Sequence, residues 1–143
     1  MTTGSHSFED RQDCPDSGEI LFEQYCEQSG LKYHHVGFDS KLDPVSYFWK
    51  VHPSIRSLPD YLVEKDGQLI WCHVKGTANL KIHDIAEYIN FDRNWKHDCS
   101  FYVVFCFKGE SPIFRTIEHL KQLLVGQTVK QWHDGVQYIT VKL

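Results

Sequence analysis

Pro59-Asp60-Tyr61-Leu62-Val63-Glu64-Lys65-Asp66-Gly67-Gln68-Leu69-Ile70-Trp71-Cys72-His73-Val74-Lys75 is the stretch on which the fold turns. Asp66-Gly67 is the strongest short-range hairpin signal in the chain. Both central positions of a two-residue turn need positive φ, which Gly adopts without cost and Asp tolerates. The flanking runs, Asp60–Lys65 and Gln68–Lys75, read as its two strands.

A two-residue loop sets the register, so Lys65 faces Gln68 and every further pair keeps the same sum of residue numbers. Counting outward places Asp60 opposite His73, on a common face with Cβ atoms about 4.5–5.5 Å apart. Side chains alternate along a strand, so Lys75 points to that same face, with Leu62 and Trp71 further along as a packed floor. A carboxylate with a second ligand can hold a divalent cation, which polarises a phosphate. A neighbouring ammonium can stabilise developing negative charge or position the attacking water. The plainer reading is a cross-strand Asp–His pair with a solvated lysine at the strand end.

Outward from the hairpin, Asp16-Ser17-Gly18-Glu19 matches a capping box. The helix it opens runs to about Ser29, with Gly30 as its stop. Leu21, Phe22, Tyr25 and Cys26 form the apolar stripe of that helix. Leu31 to Phe38 reads as a strand. Residues 39–58, with Pro44, Pro53 and Tyr47-Phe48-Trp49, form a long excursion, and loops of that length in compact domains tend to be functional. After the hairpin, Ile82, Ile85, Ala86 and Ile89 predict a helix from about Leu80 to Phe91. Phe101 to Phe107 is a continuous apolar strand, buried on both sides. Ile117, Leu120 and Leu124 predict a helix over Thr116 to Val125, and Val136 to Val141 alternates as a closing strand. The expected order is α-β-β-β-α-β-α-β. Residues 1–15 read as a flexible polar arm, and 16–143 as one domain.

Pro59-Asp60, twelve intervening residues and His73-Val74-Lys75, within a helix–strands–hairpin–helix–strand order, resemble the PD-(D/E)XK nuclease superfamily. That superfamily includes restriction endonucleases and archaeal Holliday-junction resolvases. The resemblance covers about residues 17–107. It implies an α/β fold with a restriction-endonuclease-like αβββαβ core, its central mixed sheet flanked by helices. It also implies a metal-dependent endonuclease or exonuclease acting on phosphodiester bonds, in DNA rather than RNA, with Mg²⁺ or Mn²⁺ as cofactor. Many nucleases of this fold dimerise to cut two strands, so a homodimer is part of the same expectation.

By the same resemblance, Asp60 and His73 hold the metal and Lys75 serves the water or the transition state. The family adds a Glu from the first helix: Glu19 is the first candidate and Glu23 the second, while the competing role for Glu19 is the capping box. His73 departs from the pattern, because an acidic residue ordinarily stands two before the lysine. Imidazole suits manganese and other transition ions better than magnesium, which prefers oxygen. The helix after the hairpin often lines the site in related nucleases. A phosphate contact by Lys81 therefore stands beside a solvated polar helix side shared with Asp84 and Tyr88. Arg93, Trp95 and Lys96 combine cations with an aromatic, which suits backbone contact and base stacking; they equally suit the closing of a helix end.

Composition narrows the rest. The formal charge is −4, which advertises no nucleic-acid binder, yet residues 1–70 carry six Lys/Arg against twelve Asp/Glu and residues 71–143 nine against seven. A phosphate-binding surface is thus expected in the second half, and local in extent. Five cysteines without a C-x-x-C pair fit neither a disulfide framework nor a zinc ribbon, so buried thiols are expected. No run suits a membrane span or a signal peptide, so the expected location is the cytoplasm or nucleoid. Two rivals to a nuclease remain. One is a catalytically inactive module of the same fold that binds nucleic acid or a protein. The other, more distant, is a zinc-binding module.

Overall fold

The computed structural model describes residues 17–36, 58–95 and 100–143. The N-terminal arm, the Asp16 cap, nearly all of the 39–58 excursion, Lys96, Cys14 and Cys99 lie outside the described residues.

The elements, in chain order, are α1 (Ser17–Gln28), β1 (Lys32–His35), β2 (Tyr61–Lys65), β3 (Gln68–Lys75), β4 (Asn79–Lys81), α2 (Ile82–Trp95), β5 (Ser100–Phe105), β6 (Ile113–Thr116), α3 (Ile117–Leu124), β7 (Lys130–Gln131) and β8 (Gln137–Thr140). Five strands form a mixed sheet in the order β1-β2-β3-β5-β6. β3 and β5 are its parallel pair, and α2 lies in the crossover between them; the other neighbours run antiparallel. The αβββαβ core, with its central mixed sheet flanked by helices, is present.

The hairpin is built as its turn residues require. Asp66 (φ 52°) and Gly67 (φ 77°) both take positive φ, which matches the right-handed twist of the flanking strands. The ladder runs from Lys65↔Gln68 to Tyr61↔Cys72. One step further sets Asp60 beside His73.

β3 is the shared wall of two cores. Ile70, Cys72 and Val74 turn to one face and pack with Tyr61, Val63 and Val104 against Phe22 and Cys26 of α1. Trp71 turns to the other, where Phe101, Val103 and Phe105 meet Ile85, Tyr88 and Phe91 of α2 and Ile117 and Leu120 of α3. Each such fully buried side chain contributes about 1.5–3 kcal/mol. Cys26, Cys72 and Cys106 are buried. Burial above all pushes the Cys72 thiol up, so it stays protonated and packs as an apolar residue.

The structure departs from expectation in three short strands. α2 begins at Ile82 rather than Leu80, because Asn79, Leu80 and Lys81 pair with Thr140, Ile139 and Tyr138 of β8. That pairing, with β7 on the other side of β8, makes a second, three-stranded sheet. β6, which pairs Arg115 with Val103, closes one edge of the main sheet. Elements of two to four residues leave too little periodicity to read. α3 is close to expectation, opened by Thr116, whose hydroxyl accepts from the His119 N–H at 3.2 Å.

The start of α1 sits directly on the end of β3. A Cβ added at Gly18 would lie 2.6 Å from the Gly76 nitrogen and 2.8 Å from its Cα. Backbone meets backbone there, so no flexible side chain can yield. Gly18→Ala should therefore cost about 1–3 kcal/mol, read as a lower midpoint in urea unfolding. An unchanged midpoint would show that α1 does not rest on Gly76.

Candidate active site

Asp60 immediately precedes β2 and is pinned from both sides. Its carbonyl accepts the Val36 N–H at 2.9 Å, and its carboxylate Oδ2 accepts the Val74 N–H at 2.8 Å. The side chain is thereby aimed by main-chain bonds rather than by a rotamer preference alone.

His73 Nδ1 lies 3.5 Å from the same Oδ2. That is the long limit of a hydrogen bond. It is also the spacing of two adjacent ligands on one cation, since ligand distances of about 2.1 Å subtend edges of roughly 3.0–3.5 Å. The imidazole packs on Tyr88, ring centroids 4.5 Å apart, and edge-on to Phe101 at 5.7 Å. Its Nε2 is buried and has no hydrogen-bond partner among the described residues. The His73 side chain is 13 % exposed and that of Asp60 27 %, so solvent reaches the pair from the carboxylate side.

Burial works to raise the Asp60 pKa. The His73 hydrogen bond and charge, the Val74 N–H and the Lys75 charge together outweigh it and hold the carboxyl below its ordinary value. Lys75 Nζ stands 3.4 Å from Asp84 Oδ2 of α2. Burial raises the Tyr88 hydroxyl; the Lys75 charge opposes that rise, and the charges of Asp84 and Asp60 add to it. Asp60, His73, Lys75, Asp84 and Tyr88 thus form one polar cluster between the end of β3 and the first turns of α2.

The two helix carboxylates have partners on the α1 side. Glu19 Oε1 lies 3.6 Å from His35 Nε2, and the His35 ring packs on Tyr61, on the α1 side of the sheet. Glu23 accepts from the Tyr61 hydroxyl and, at 3.4 Å, from that of Tyr33. No third His, Cys, Asp or Glu joins Asp60 and His73 in a metal-binding group among the described residues. Lys81 ends β4, opposite Tyr138, and so is not on the helix where the sequence placed it. Arg93 is exposed in the last turn of α2, where a cation also complements the helix dipole. Asp84 and Tyr88 are the residues whose place in the site was missed. They share a helix face at i, i+4, but nothing in that spacing says that it is turned toward Lys75.

Asp60 and His73 offer two of the donors that a cation needs. One carboxylate and one imidazole face each other at ligand spacing, and substrate phosphate and water commonly complete such coordination. Mixed oxygen and nitrogen favour manganese over magnesium. A metal-bound imidazole ordinarily donates its other N–H, and His73 Nε2 has no acceptor, so this pair alone would bind a cation weakly.

The lowered Asp60 pKa carries a pH dependence. Its folded value lies below an unfolded one of about 3.9. Its contribution is therefore complete above that pH and is lost as the pH falls through the folded value. Asp60→Asn should destabilise the chain at pH 7, and the gap in urea-unfolding free energy should close as the pH drops below about 4. A gap independent of pH would show that the Asp60 charge makes no such contacts.

No family model and no curated protein matches the chain. Among solved structures it is similar to Hjc of Archaeoglobus fulgidus, a Holliday junction resolvase from an archaeal hyperthermophile. The identity is 12 %, the match covers 86 % of this chain and 85 % of that one, and the TM-score is 0.49.

Proposed function

We propose that the chain is a divalent-cation-dependent nuclease that hydrolyses phosphodiester bonds in DNA. The observation that carries this reading is the 3.5 Å approach of Asp60 Oδ2 and His73 Nδ1, with Lys75 brought to the same face by the register of β3. Asp60, already ionised, and His73 in its neutral form would hold the cation, with Mn²⁺ preferred to Mg²⁺. A cation there supplies positive charge that polarises a phosphoryl oxygen and acidifies water.

The chain's own groups do the rest. Lys75 offers N–H donors to a non-bridging phosphate oxygen or to the attacking water as negative charge develops. The Tyr88 and Phe101 rings keep His73 from turning away from Asp60. Phosphate contacts by Lys81, Arg93 and Lys96 and assembly as a homodimer to cut both strands belong to the same reading, as does Glu19 as a further ligand once substrate is bound.

A second reading is a catalytically inactive module that binds nucleic acid or a protein. It is favoured by the engagement of Glu19 with His35 and of Lys75 with Asp84, which gives two groups needed by the catalytic reading partners within the chain.

Cleavage separates the two. Purified chain should cut plasmid, single-stranded or four-way-branched DNA in Mn²⁺, less in Mg²⁺, and none in chelator. Asp60→Ala and Lys75→Ala should each lower the rate about 10²–10³-fold. Cleavage that survives both changes would place the active site elsewhere, and no cleavage of any substrate would leave the inactive module. His73→Glu should shift the preference from Mn²⁺ toward Mg²⁺, because it exchanges nitrogen for carboxylate oxygen; an unchanged preference would remove His73 from the ligand set.

A further inference from the structure

Lys75 lies within the electrostatic reach of Asp60. A lysine side chain has four flexible bonds and a strongly hydrated charge. Left alone beside an ionised carboxylate, it would swing onto that carboxylate, occupy the charge meant for a cation, and withdraw its own donors from substrate. Nζ stands 3.4 Å from Asp84 Oδ2 on the α2 side.

We propose that Asp84 is a positioning residue of this site, whose carboxylate draws the Lys75 ammonium away from Asp60 and holds it aimed across the face that Asp60 and His73 share. The role rests on the nuclease reading above. Three observations support it. First, Asp84 is in the first turn of α2, where an acid would be expected to serve the helix dipole from solvent. Its side chain is instead only 24 % exposed and reaches across to the strand. Second, Tyr88 lies one helical turn on, at i+4. Its ring packs on the His73 ring, centroids 4.5 Å apart, while Asp84 engages Lys75. One face of α2 thereby braces both motif residues of β3. Third, α2 is held against the sheet by Ile85, Tyr88 and Phe91 in the core, so the brace is rigid.

The test is a kinetic double-mutant cycle with a chemical readout beside it. Asp84→Asn should lower kcat about 10²-fold, the scale of a small misplacement of a reacting group, with KM within about twofold and the thermal midpoint close to wild type. Asp84→Glu, which keeps the charge, should recover most of the rate. The Lys75→Ala/Asp84→Asn double variant should be no slower than Lys75→Ala alone, because the two residues act as one unit. Losses that multiply, or full activity in Asp84→Asn, would overturn the proposal. Reductive methylation followed by mass spectrometry reads the ammonium directly: Lys75 should label several-fold faster in Asp84→Asn. If the wild-type chain cleaves no DNA, the nuclease reading falls by itself. The labelling then decides whether Asp84 holds Lys75, with faster labelling supporting that hold and an unchanged rate removing it.

Discussion

Everything near the site depends on the two-residue turn Asp66-Gly67. With both residues at positive φ, the turn permits one register, and side chains alternate with a period of two along each strand. A slip of a single residue would carry His73 and Lys75 to the α1 side and drive Cys72 and Val74 out of their core. The penalty for that exchange is spread over every buried residue of β2 and β3. The placement of the polar cluster is therefore a consequence of hydrophobic packing on the opposite face.

The two faces of the sheet share the labour. On one, Phe22 and Cys26 of α1 close over Tyr61, Val63 and Val74, and the Gly18–Gly76 contact brings the first turn of α1 to the residue after Lys75. On the other, α2 crosses between the parallel strands β3 and β5, and its first two turns supply Asp84 and Tyr88. A site at the end of a central strand thus receives groups from the strand itself and from the helix that follows it, with the Val36 N–H holding the Asp60 carbonyl and the Val74 N–H its carboxylate.

Much of this could be read from the residues. The hairpin, its register and the meeting of Asp60 with His73 follow from turn chemistry and alternation, which act over a few residues and need no tertiary knowledge. The buried strand β5 and helix α3 were equally open to pattern reading. The short strands β4, β6 and β7 were not, because their existence is settled by partners: β4 and β7 are strands through β8, and β6 through β5. Lys81 was set on a helix for that reason. The engagements of Glu19 with His35 and of Lys75 with Asp84 were likewise illegible. Each depends on how a helix docks on the sheet, and i, i+4 spacing gives a helix face without its direction.

His73 is where packing and chemistry meet. Its ring is clasped by Tyr88 and Phe101, its Nε2 has no partner among the described residues, and its Nδ1 faces a carboxylate that is itself held ionised. The most direct test is a crystal soaked in Mn²⁺ and measured at the manganese absorption edge. The expected result is an anomalous peak about 2.0–2.3 Å from an Asp60 carboxylate oxygen and from His73 Nδ1. No peak at that pair, or manganese bound elsewhere with Asp60 and His73 still facing each other, would contradict it.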